Sequence, residues 1–564
     1  MKKILSLVLV FVMIFSLCVP AFAVTSADYS VPTVLIRGDG ADLVTAEGEP
    51  LWPKKFGDEE GDTQEVVDAV ADVLLPYFPV GLLTGNWDEY YEKFGEVMLD
   101  FFGDTALDGD GNPVSVGSKM SQWFIDDNLN RMKTNRKVNG RYDYTAYVFH
   151  YDFRLSPYDV MDELDTYIMA VMKVTGSKKV NLVGRCLGGG FLMCYLDYYL
   201  NKVETTGCEP YLKNVMFQAV TSNGCDALTS AFSGNMKFDS VALQRFMSEY
   251  IDEDSTSIGS ILDTAPFVNE FIMVSYDLLR EVGVIDSTII NAADSLYAEL
   301  YAGLTPRLFK ALFGTWAGYW TAIDTEYFED AVDLVFGEKG SETRTEYAGL
   351  VGKIEKYHYE VSTQKDRIFD ECEALGVHFG SYVKYGYQAY PFVEEPHAVS
   401  DSLVALKKAS FGATCGEVGK PLSAEYIEQR AELGYGDYIS VDGMVDLSTA
   451  RFKDTTWVVK NLHHDNWTYD ADVINNFVWS TNCTTNNDKT FSRFMVYNDE
   501  THEKETMTQD NCNTSQWEEL EDVQESTLIT KLRALFKWLT VMFKYLASLI
   551  RVPSGEPEET VTVA

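Results

Sequence analysis

The sequence is poor in cysteine and histidine for its length. It has 9 cysteines in 564 residues, none of them in a Cys-x-x-Cys pair. This excludes a dense disulfide framework and the usual zinc motifs. A single pairing, between Cys483 and Cys512 on either side of a polar segment, is left open. Of the 7 histidines, His463 and His464 are adjacent, and adjacent side chains point apart. We therefore predict no metal and no cofactor.

Positive charge is also scarce. The chain has 46 Lys and Arg against 86 Asp and Glu, for a net charge of −40. A chain of this charge is repelled by phosphate backbones, which excludes nucleic acid as a partner. Long apolar runs are few. The run at residues 4–19 follows two lysines and precedes Ala-Phe-Ala at 21–23, which is typical of a cleavable secretory signal. We predict a signal peptide at 1–23 and an extracellular or cell-surface location.

One short apolar run ends in a cysteine between glycines. Residues 180–183 predict a buried strand, and Gly-Arg-Cys-Leu-Gly follows at 184–188, before a segment that can be helical. Glycine on both sides suits a sharp strand–turn–helix connection, because a Cβ at either place would clash. Hydrolases hold their attacking side chain on such a turn. The nucleophile position, normally serine, is Cys186 here.

The cysteine has chemical consequences. A thiol ionises more readily than a hydroxyl, and the start of a helix favours the thiolate. We interpret Cys186 as a nucleophile whose acyl intermediate would be a thioester. The alternative is a buried, inert cysteine on a turn that has lost its function.

Strand and helix patterns alternate around this turn. A strand begins at residue 31 and breaks into a glycine loop before 43. The other predicted elements are strands at 144–149, 180–183, 215–220, 377–390 and 456–462, and helices at 66–83 and 159–174. This alternation indicates a mostly parallel sheet with right-handed crossovers. With the cysteine turn in its centre, it predicts an α/β-hydrolase fold.

A long insertion interrupts the alternation, and polar and amphipathic segments follow it. The predicted units are a core at 24–225 and 375–470, a helical cap or lid at 226–374, a polar appendage at 471–521, an amphipathic helix at 526–552 and a tail at 553–564. The aromatic residues of the insertion line an acyl pocket or pack between helices; they are Phe309, Phe313, Trp316, Tyr319 and Trp320.

The amphipathic helix carries a narrow cationic stripe. Polar residues recur at helical spacing through 528–551, at Thr530, Arg533, Lys537, Thr540, Lys544, Ser548 and Arg551. The residues between them are apolar, so the helix can lie in the interface of an anionic membrane. Packing against the protein or a second copy is the alternative.

Candidates for the remaining catalytic groups follow from chain order, which runs nucleophile, acid, histidine. The histidine should follow the last strand, so it is His463 or His464. The acid is Asp401 or Asp442, and we favour Asp401 because it follows the penultimate strand. The oxyanion donors are by position the backbone amides of Asp39 and Leu187. Leu187 directly follows the nucleophile.

Taken together, these segments resemble the α/β-hydrolase lipases, most closely the lecithin:cholesterol acyltransferase-like group and related secreted bacterial lipases. The matching segments are Ile-Arg-Gly-Asp at 36–39, Tyr-Asp-Phe-Arg at 151–154, Gly-Arg-Cys-Leu-Gly at 184–188, Ser-Asp-Ser-Leu-Val at 400–404 and His-Asp-Asn-Trp at 464–467. The resemblance covers 31–225 and 377–467 and implies His464 rather than His463. The sequence departs from the family pattern at Arg37, Cys186 and Ser402.

The resemblance implies a lipase-like acyl hydrolase that acts on carboxylic, lipid or small ester substrates. Cys186 would attack the carbonyl, His464 would move the proton and Asp401 would orient the histidine. Two alternatives stay open. One is acyl transfer from the thioester to an alcohol or amine. The other is a catalytically inactive lipid-binding protein, which the three departures favour.

Overall fold

The computed structural model describes residues 27–38, 41–52, 84–115, 119–236, 313–390 and 393–512, with isolated positions between 73 and 84 and at 239 and 242. The predicted signal peptide and amphipathic helix lie outside the described residues, as does most of the predicted helix at 66–83. Among the residues described, no helix has the length and apolarity needed to cross a membrane.

A central sheet of 8 strands organises the described chain. In chain order its strands are β1 (Thr33–Ile36), β2 (Tyr147–Phe149), β3 (Val180–Arg185), β4 (Leu212–Gln218), β5 (His378–Tyr385), β6 (Thr456–Lys460), β7 (Phe494–Asn498) and β8 (Glu503–Thr506). The spatial order is β8-β7-β6-β5-β4-β3-β1-β2, and every neighbouring pair is parallel except β7 and β8. The predicted mostly parallel sheet of an α/β-hydrolase fold is thereby confirmed.

The sheet is buried on both faces. Side chains alternate along a strand, so Leu182 and Phe217 enter one hydrophobic cluster while Val183 and Met216 enter another. A strand that is buried on both faces has a continuous run of apolar residues, whereas a strand with one exposed face alternates apolar and polar residues. This is why residues 180–183 stand out in the sequence.

Helices connect and cover the strands. They are α1 (Asp88–Phe102), α2 (Gln122–Lys133), α3 (Pro157–Thr175), α4 (Gly188–Thr206), α5 (Asp226–Ser233), α6 (Phe328–Phe336), α7 (Glu342–Glu346), α8 (Ala348–Glu360), α9 (Lys365–Ala374), α10 (Leu406–Ala409), α11 (Ala424–Glu432) and α12 (Ala471–Trp479). Helix α3 shows the local signals: Pro157 occupies its first turn, and Gly176 ends it with a φ of 70°.

Short antiparallel pairings lie outside the central sheet. They join Leu43–Val44 to Pro50–Trp52 and to Lys119–Met120, Tyr387–Gln388 to Val399–Ser400, and Thr414–Cys415 to Val445–Asp446. The pairing of Tyr387–Gln388 with Val399–Ser400 leads the chain from β5 into the loop that contains Asp401.

The described part of the predicted cap is helical and packs on the core. Trp316 has no exposed surface and belongs to the same hydrophobic cluster as the strands. The hydroxyl of Tyr357 donates to the carbonyl oxygen of Gly190 in α4, at 3.2 Å. Trp316 is therefore part of the hydrophobic core, where it packs against Trp52 and Phe153. The division of the chain into core and cap stays a prediction.

The polar segment after β6 is not a separate appendage, and this corrects the sequence prediction. Helix α12 is buried against the sheet, and β7 and β8 extend the sheet beyond β6. The polar residues of this segment lie mainly in loops and on the exposed edge strand β8. Cys483 and Cys512 are free thiols in different hydrophobic clusters, so the pairing left open by the sequence does not form.

Candidate active site

Cys186 occupies a sharp turn at the carboxyl end of β3, near the centre of the sheet. Its φ is 49°, a left-handed conformation that a residue with a Cβ rarely adopts. The backbone holds it there, because the Cys186 amide donates to the carbonyl of Gln218 at 3.1 Å and the Cys186 carbonyl accepts from the amide of Thr221 at 3.2 Å. Such a maintained backbone strain is common where a side chain must be presented.

Two glycines let the loop after β1 approach this turn. A Cβ on Gly188 would lie 2.3 Å from the carbonyl oxygen of Ile36. A Cβ on Gly38 would lie 2.5 Å from the Cβ of Cys186 and 2.9 Å from the amide nitrogen of Leu187. No side chain fits at either position. The sequence predicted the turn glycine at 188, and the structure adds the contact with Gly38.

The Leu187 amide is available as a donor. It makes no hydrogen bond to another described residue, and α4 begins at the next residue. The other predicted donor, Asp39, lies outside the described residues. The loop that leads to it is tied down by Tyr151, whose hydroxyl donates to the carbonyl of Arg37.

His464 follows β6 and is paired with Asp401. Its Nδ1 lies 2.7 Å from Oδ2 of Asp401, and its backbone amide donates to the carbonyl of Asp401 at 2.8 Å. Oδ1 of Asp401 accepts the amides of Leu403 and Val404, at 3.1 and 2.8 Å. Both oxygens of the carboxylate are thus occupied. The intervening Ser402 has a φ of 87°, a conformation that glycine adopts more readily.

Electrostatics favour the charged form of this pair. Burial would raise the pKa of Asp401, but the charge and hydrogen bond of His464 hold that pKa below its usual value. Burial would likewise lower the pKa of His464, whereas Asp401 and then Cys186 raise it to about 10. The imidazole is therefore protonated at neutral pH, provided that Cys186 is ionised.

The turn and the imidazole lie close together. Arg185, the residue before Cys186, lies over the ring of Trp467 at 4.7 Å, and that ring packs edge-on against His464 at 4.9 Å. The charge of Cys186 is among the causes that raise the pKa of His464. Nε2 of His464 is buried and has no hydrogen-bond partner among the described residues. In enzymes, a hydrogen bond between a nucleophile and its base often becomes aligned only when a substrate is present.

The two alternative residues lie in other surroundings. Asp442 accepts hydrogen bonds from the hydroxyl of Tyr385 at 2.7 Å and from Nζ of Lys460 at 2.9 Å. The ring of His463 packs edge-on against Tyr387, and burial lowers the pKa of His463. The structure brings Asp401, rather than Asp442, to His464.

The Tyr-Asp-Phe-Arg segment forms a buried brace. Arg154 has no exposed surface, and its guanidinium donates to both oxygens of Asp152, at 2.7 and 3.0 Å. A third donor reaches the carbonyl of Thr105 at 3.0 Å. The carbonyl of Arg154 accepts the amide of Gly318, at 3.2 Å. The segment thereby joins the loop after β2 to two other parts of the chain.

Sequence reasoning missed a buried ion pair beside His464. Nζ of Lys384, in β5, lies 2.9 Å from Oδ2 of Asp470, and neither side chain has exposed surface. The signal in the sequence was a lysine inside a predicted buried strand. Within the described ranges, no group of three or more His, Cys, Asp or Glu side chains is arranged to hold a metal ion.

Comparisons with known proteins identify no family. No family model matches the chain, and no curated protein does. Among solved structures, the chain is similar to one in "The crystal structure of Tle4-Tli4 complex". The identity is 12%, the match covers 63% of this chain and 74% of the other, and the TM-score is 0.20. A match of this quality assigns no residue role and no activity to the chain.

Proposed function

We propose that this protein is a lipase-like hydrolase of carboxylic esters that uses Cys186 as nucleophile, His464 as proton carrier and Asp401 as the acid that orients the histidine. One observation carries the proposal. A thiol held in a left-handed turn at the end of β3 lies close to a buried His–Asp pair, since its neighbour Arg185 and the imidazole of His464 both pack against Trp467. That grouping matches the roles of a nucleophile, a base and an orienting acid.

The thiolate sulfur of Cys186 attacks the ester carbonyl carbon, and a C–S bond forms. The tetrahedral oxyanion accepts the amide of Leu187, a donor typically worth ~3 kcal/mol. When the C–O bond breaks, His464 gives its Nε2 proton to the departing alkoxide, which leaves as the alcohol. The neutral imidazole then takes a proton from water. The resulting hydroxide equivalent attacks the thioester, and the acid leaves as the thiolate re-forms.

Hydrolysis of p-nitrophenyl esters of increasing acyl length tests this proposal. The mature protein should release nitrophenol, and Cys186→Ala should reduce kcat/KM by about a thousandfold or more. Cys186→Ser should retain measurable hydrolysis, because a hydroxyl can use the same histidine. Cys208→Ala is the matched control, since Cys208 is also a partly exposed free thiol. Equal rates for the wild-type protein and Cys186→Ala would refute the proposal and leave a lipid-binding protein.

Acyl transfer is the second candidate, and the cysteine itself favours it. A thioester is a better acyl donor to alcohols and amines than an oxygen ester is. Product analysis with glycerol or an amino acid amide as competing acceptor separates the two reactions. If the transfer products exceed the free acid at a low acceptor concentration, acyl transfer rather than hydrolysis is the activity of the protein.

We further propose export and attachment to an anionic membrane surface. The support is sequence alone: the signal pattern at 1–23 and the cationic amphipathic pattern at 528–551. Flotation with vesicles of anionic and of zwitterionic lipid tests the second part. The mature chain should float with anionic vesicles, and a chain ending at residue 525 should not. Equal flotation of the two chains would refute attachment through this segment.

A further inference from the structure

Lys384 is a buried cation in contact with the loop that carries His464. Its Nζ donates to the backbone carbonyl oxygens of His463, His464 and Asn466, at 3.4, 3.1 and 3.1 Å. The same ammonium pairs with Asp470 at 2.9 Å. A buried ammonium is unfavourable unless such partners surround it, whereas an apolar residue would suit this strand position without them.

The loop needs these donors because it leaves the sheet abruptly. Strand β6 ends at Lys460, and Asn461 already has a φ of 61°. Carbonyls that turn away from the strand have no ladder partner, and a buried carbonyl without a donor is strongly disfavoured. An ammonium has three N–H bonds to share and can gather several carbonyls at one point.

His464 is consequently held on both sides of its peptide backbone. Its amide donates to the carbonyl of Asp401 at 2.8 Å, and its carbonyl accepts from Lys384. Its Nδ1 is bound to the Asp401 carboxylate at 2.7 Å. With amide, carbonyl and Nδ1 fixed, the position of Nε2 is determined.

The same network reaches the nucleophile turn. Asp470 accepts a hydrogen bond from the side chain of Gln218 at 2.6 Å, and the backbone carbonyl of Gln218 accepts the amide of Cys186 at 3.1 Å. A continuous path of polar contacts therefore runs from Cys186 through Gln218, Asp470 and Lys384 to His464. This path connects the backbone at Cys186 with the backbone at His464. The distance between these two segments determines whether a proton can be transferred between the sulfur and the imidazole.

We propose that Lys384, neutralised by Asp470, is a positioning residue that sets the distance between the His464 imidazole and the Cys186 sulfur. This inference rests on the proposed function, because it presupposes that Cys186 and His464 act together. Asp470 keeps the ammonium from repelling a protonated His464. Among the described residues, the titratable and charged groups near the ammonium and the imidazole include Asp470, Tyr382, His463, Asp401 and Cys186, with Arg185, Tyr144 and Asp465 next to them.

The test compares two buried Lys–Asp pairs on neighbouring strands. Lys384→Met removes the positioning cation. Lys460→Met removes a cation that is 2.9 Å from Asp442, with side chains 4% and 6% exposed, and that makes no contact with the His464 loop among the described residues. Lys384→Met combined with Asp470→Asn removes the first pair without leaving an isolated charge. Each variant is measured by urea unfolding and by iodoacetamide alkylation of Cys186 between pH 6 and 9, with the product located by peptide mass.

We expect both lysine variants to lose stability, but only Lys384→Met and the double variant to alkylate Cys186 about tenfold or more slowly at neutral pH. Their rates should also acquire a steeper dependence on pH, whereas Lys460→Met should stay within about twofold of wild type. A folded Lys384→Met with the wild-type rate and pH profile would overturn the inference. So would failure of both Lys384 variants to fold while Lys460→Met folds, because the role would then be structural.

Failure of the proposed function gives a different result. In that case Cys186 of the wild-type protein would react no faster than the partly exposed Cys208 and Cys415, and His464→Asn would leave its rate unchanged. That result would refute both the proposed function and the inference about Lys384. If Cys186 of the wild-type protein is reactive, the alkylation rates of the two Lys384 variants test the inference about Lys384 on their own.

Discussion

Nδ1 of His464 lies 2.7 Å from Oδ2 of Asp401, across 63 residues of sequence, with side chains only 2% and 1% exposed. Burial of an ionisable pair is tolerated because each member satisfies the other and because two backbone amides complete the carboxylate. The pair fixes the orientation of the imidazole, with Nδ1 facing the carboxylate of Asp401. Nε2 is then the nitrogen available to Cys186.

Replacing His464 should slow alkylation of Cys186. Asp401 raises the pKa of His464, and a protonated imidazole and a neighbouring thiolate at Cys186 stabilise each other. His464→Asn removes that charge, and we expect alkylation by iodoacetamide at pH 6.5 to fall about tenfold or more. His463→Asn is the matched control and should leave the rate within about twofold. Equal effects of the two variants would contradict the assignment of His464.

Replacing Asp401 by its neutral isostere should destabilise the fold in a pH-dependent way. The pKa of Asp401 is held below its usual value, so the carboxylate stabilises the native state above the unfolded pKa and loses this effect as pH falls through the folded value. We expect Asp401→Asn to lower the free energy of unfolding by about 2–3 kcal/mol at pH 7. The difference should begin to shrink below pH ~3.8, where Asp401 of the unfolded chain protonates, and should disappear as pH falls through the lower pKa of the folded state.

Urea unfolding at pH 7 and at acidic pH measures this difference. Asp442→Asn is the comparison, since Asp442 is paired with Lys460 rather than with His464. Ester hydrolysis should fall by up to about ten-thousandfold in Asp401→Asn. A larger loss of hydrolysis in Asp442→Asn would reverse the assignment of the acid.

A single methyl group on Gly188 should disrupt the turn at Cys186. The added Cβ would lie 2.3 Å from the carbonyl oxygen of Ile36, and backbone cannot move aside as a flexible side chain can. We expect Gly188→Ala to cost about 2–3 kcal/mol or more and to abolish alkylation selectivity for Cys186. Gly95→Ala in α1 meets nothing within 4 Å and should instead stabilise the protein by up to about 1 kcal/mol. Thermal unfolding distinguishes the two outcomes; similar melting temperatures would argue against the close approach of β1 to the turn.

The brace between Asp152 and Arg154 should contribute strongly to stability. Asp152→Asn leaves the guanidinium of Arg154 buried without a counter-charge, and removing one partner of such a pair typically costs 3–5 kcal/mol, so we expect a loss of about 3 kcal/mol. Glu417→Gln breaks a surface pair with Lys420, whose side chains are 57% and 75% exposed, and should change stability by less than about 1 kcal/mol. Equal midpoints in urea for the two variants would contradict the structural role of the brace.

Much of the fold could be predicted because its signals are local. The run at 180–183 and the glycines at 184 and 188 indicate a buried strand and a sharp turn, and chirality makes the crossovers right-handed. The extension of the sheet by β7 and β8 could not be predicted in the same way. Strand β7 is only five residues long and lies between polar loops, and β8 is mostly exposed, so neither strand forms an apolar run that stands out in the sequence.

By itself, the sequence determined where the sharp turn at Cys186 lies and that the sheet is mostly parallel. These properties depend on side-chain periodicity and on backbone sterics within a few residues. Only the tertiary structure decided that Asp401 rather than Asp442 reaches His464, and that Lys384 holds the carbonyls of the His464 loop. Those contacts join strands and loops far apart in the chain, so they depend on how the strands are ordered in the sheet and how the loops pack on it.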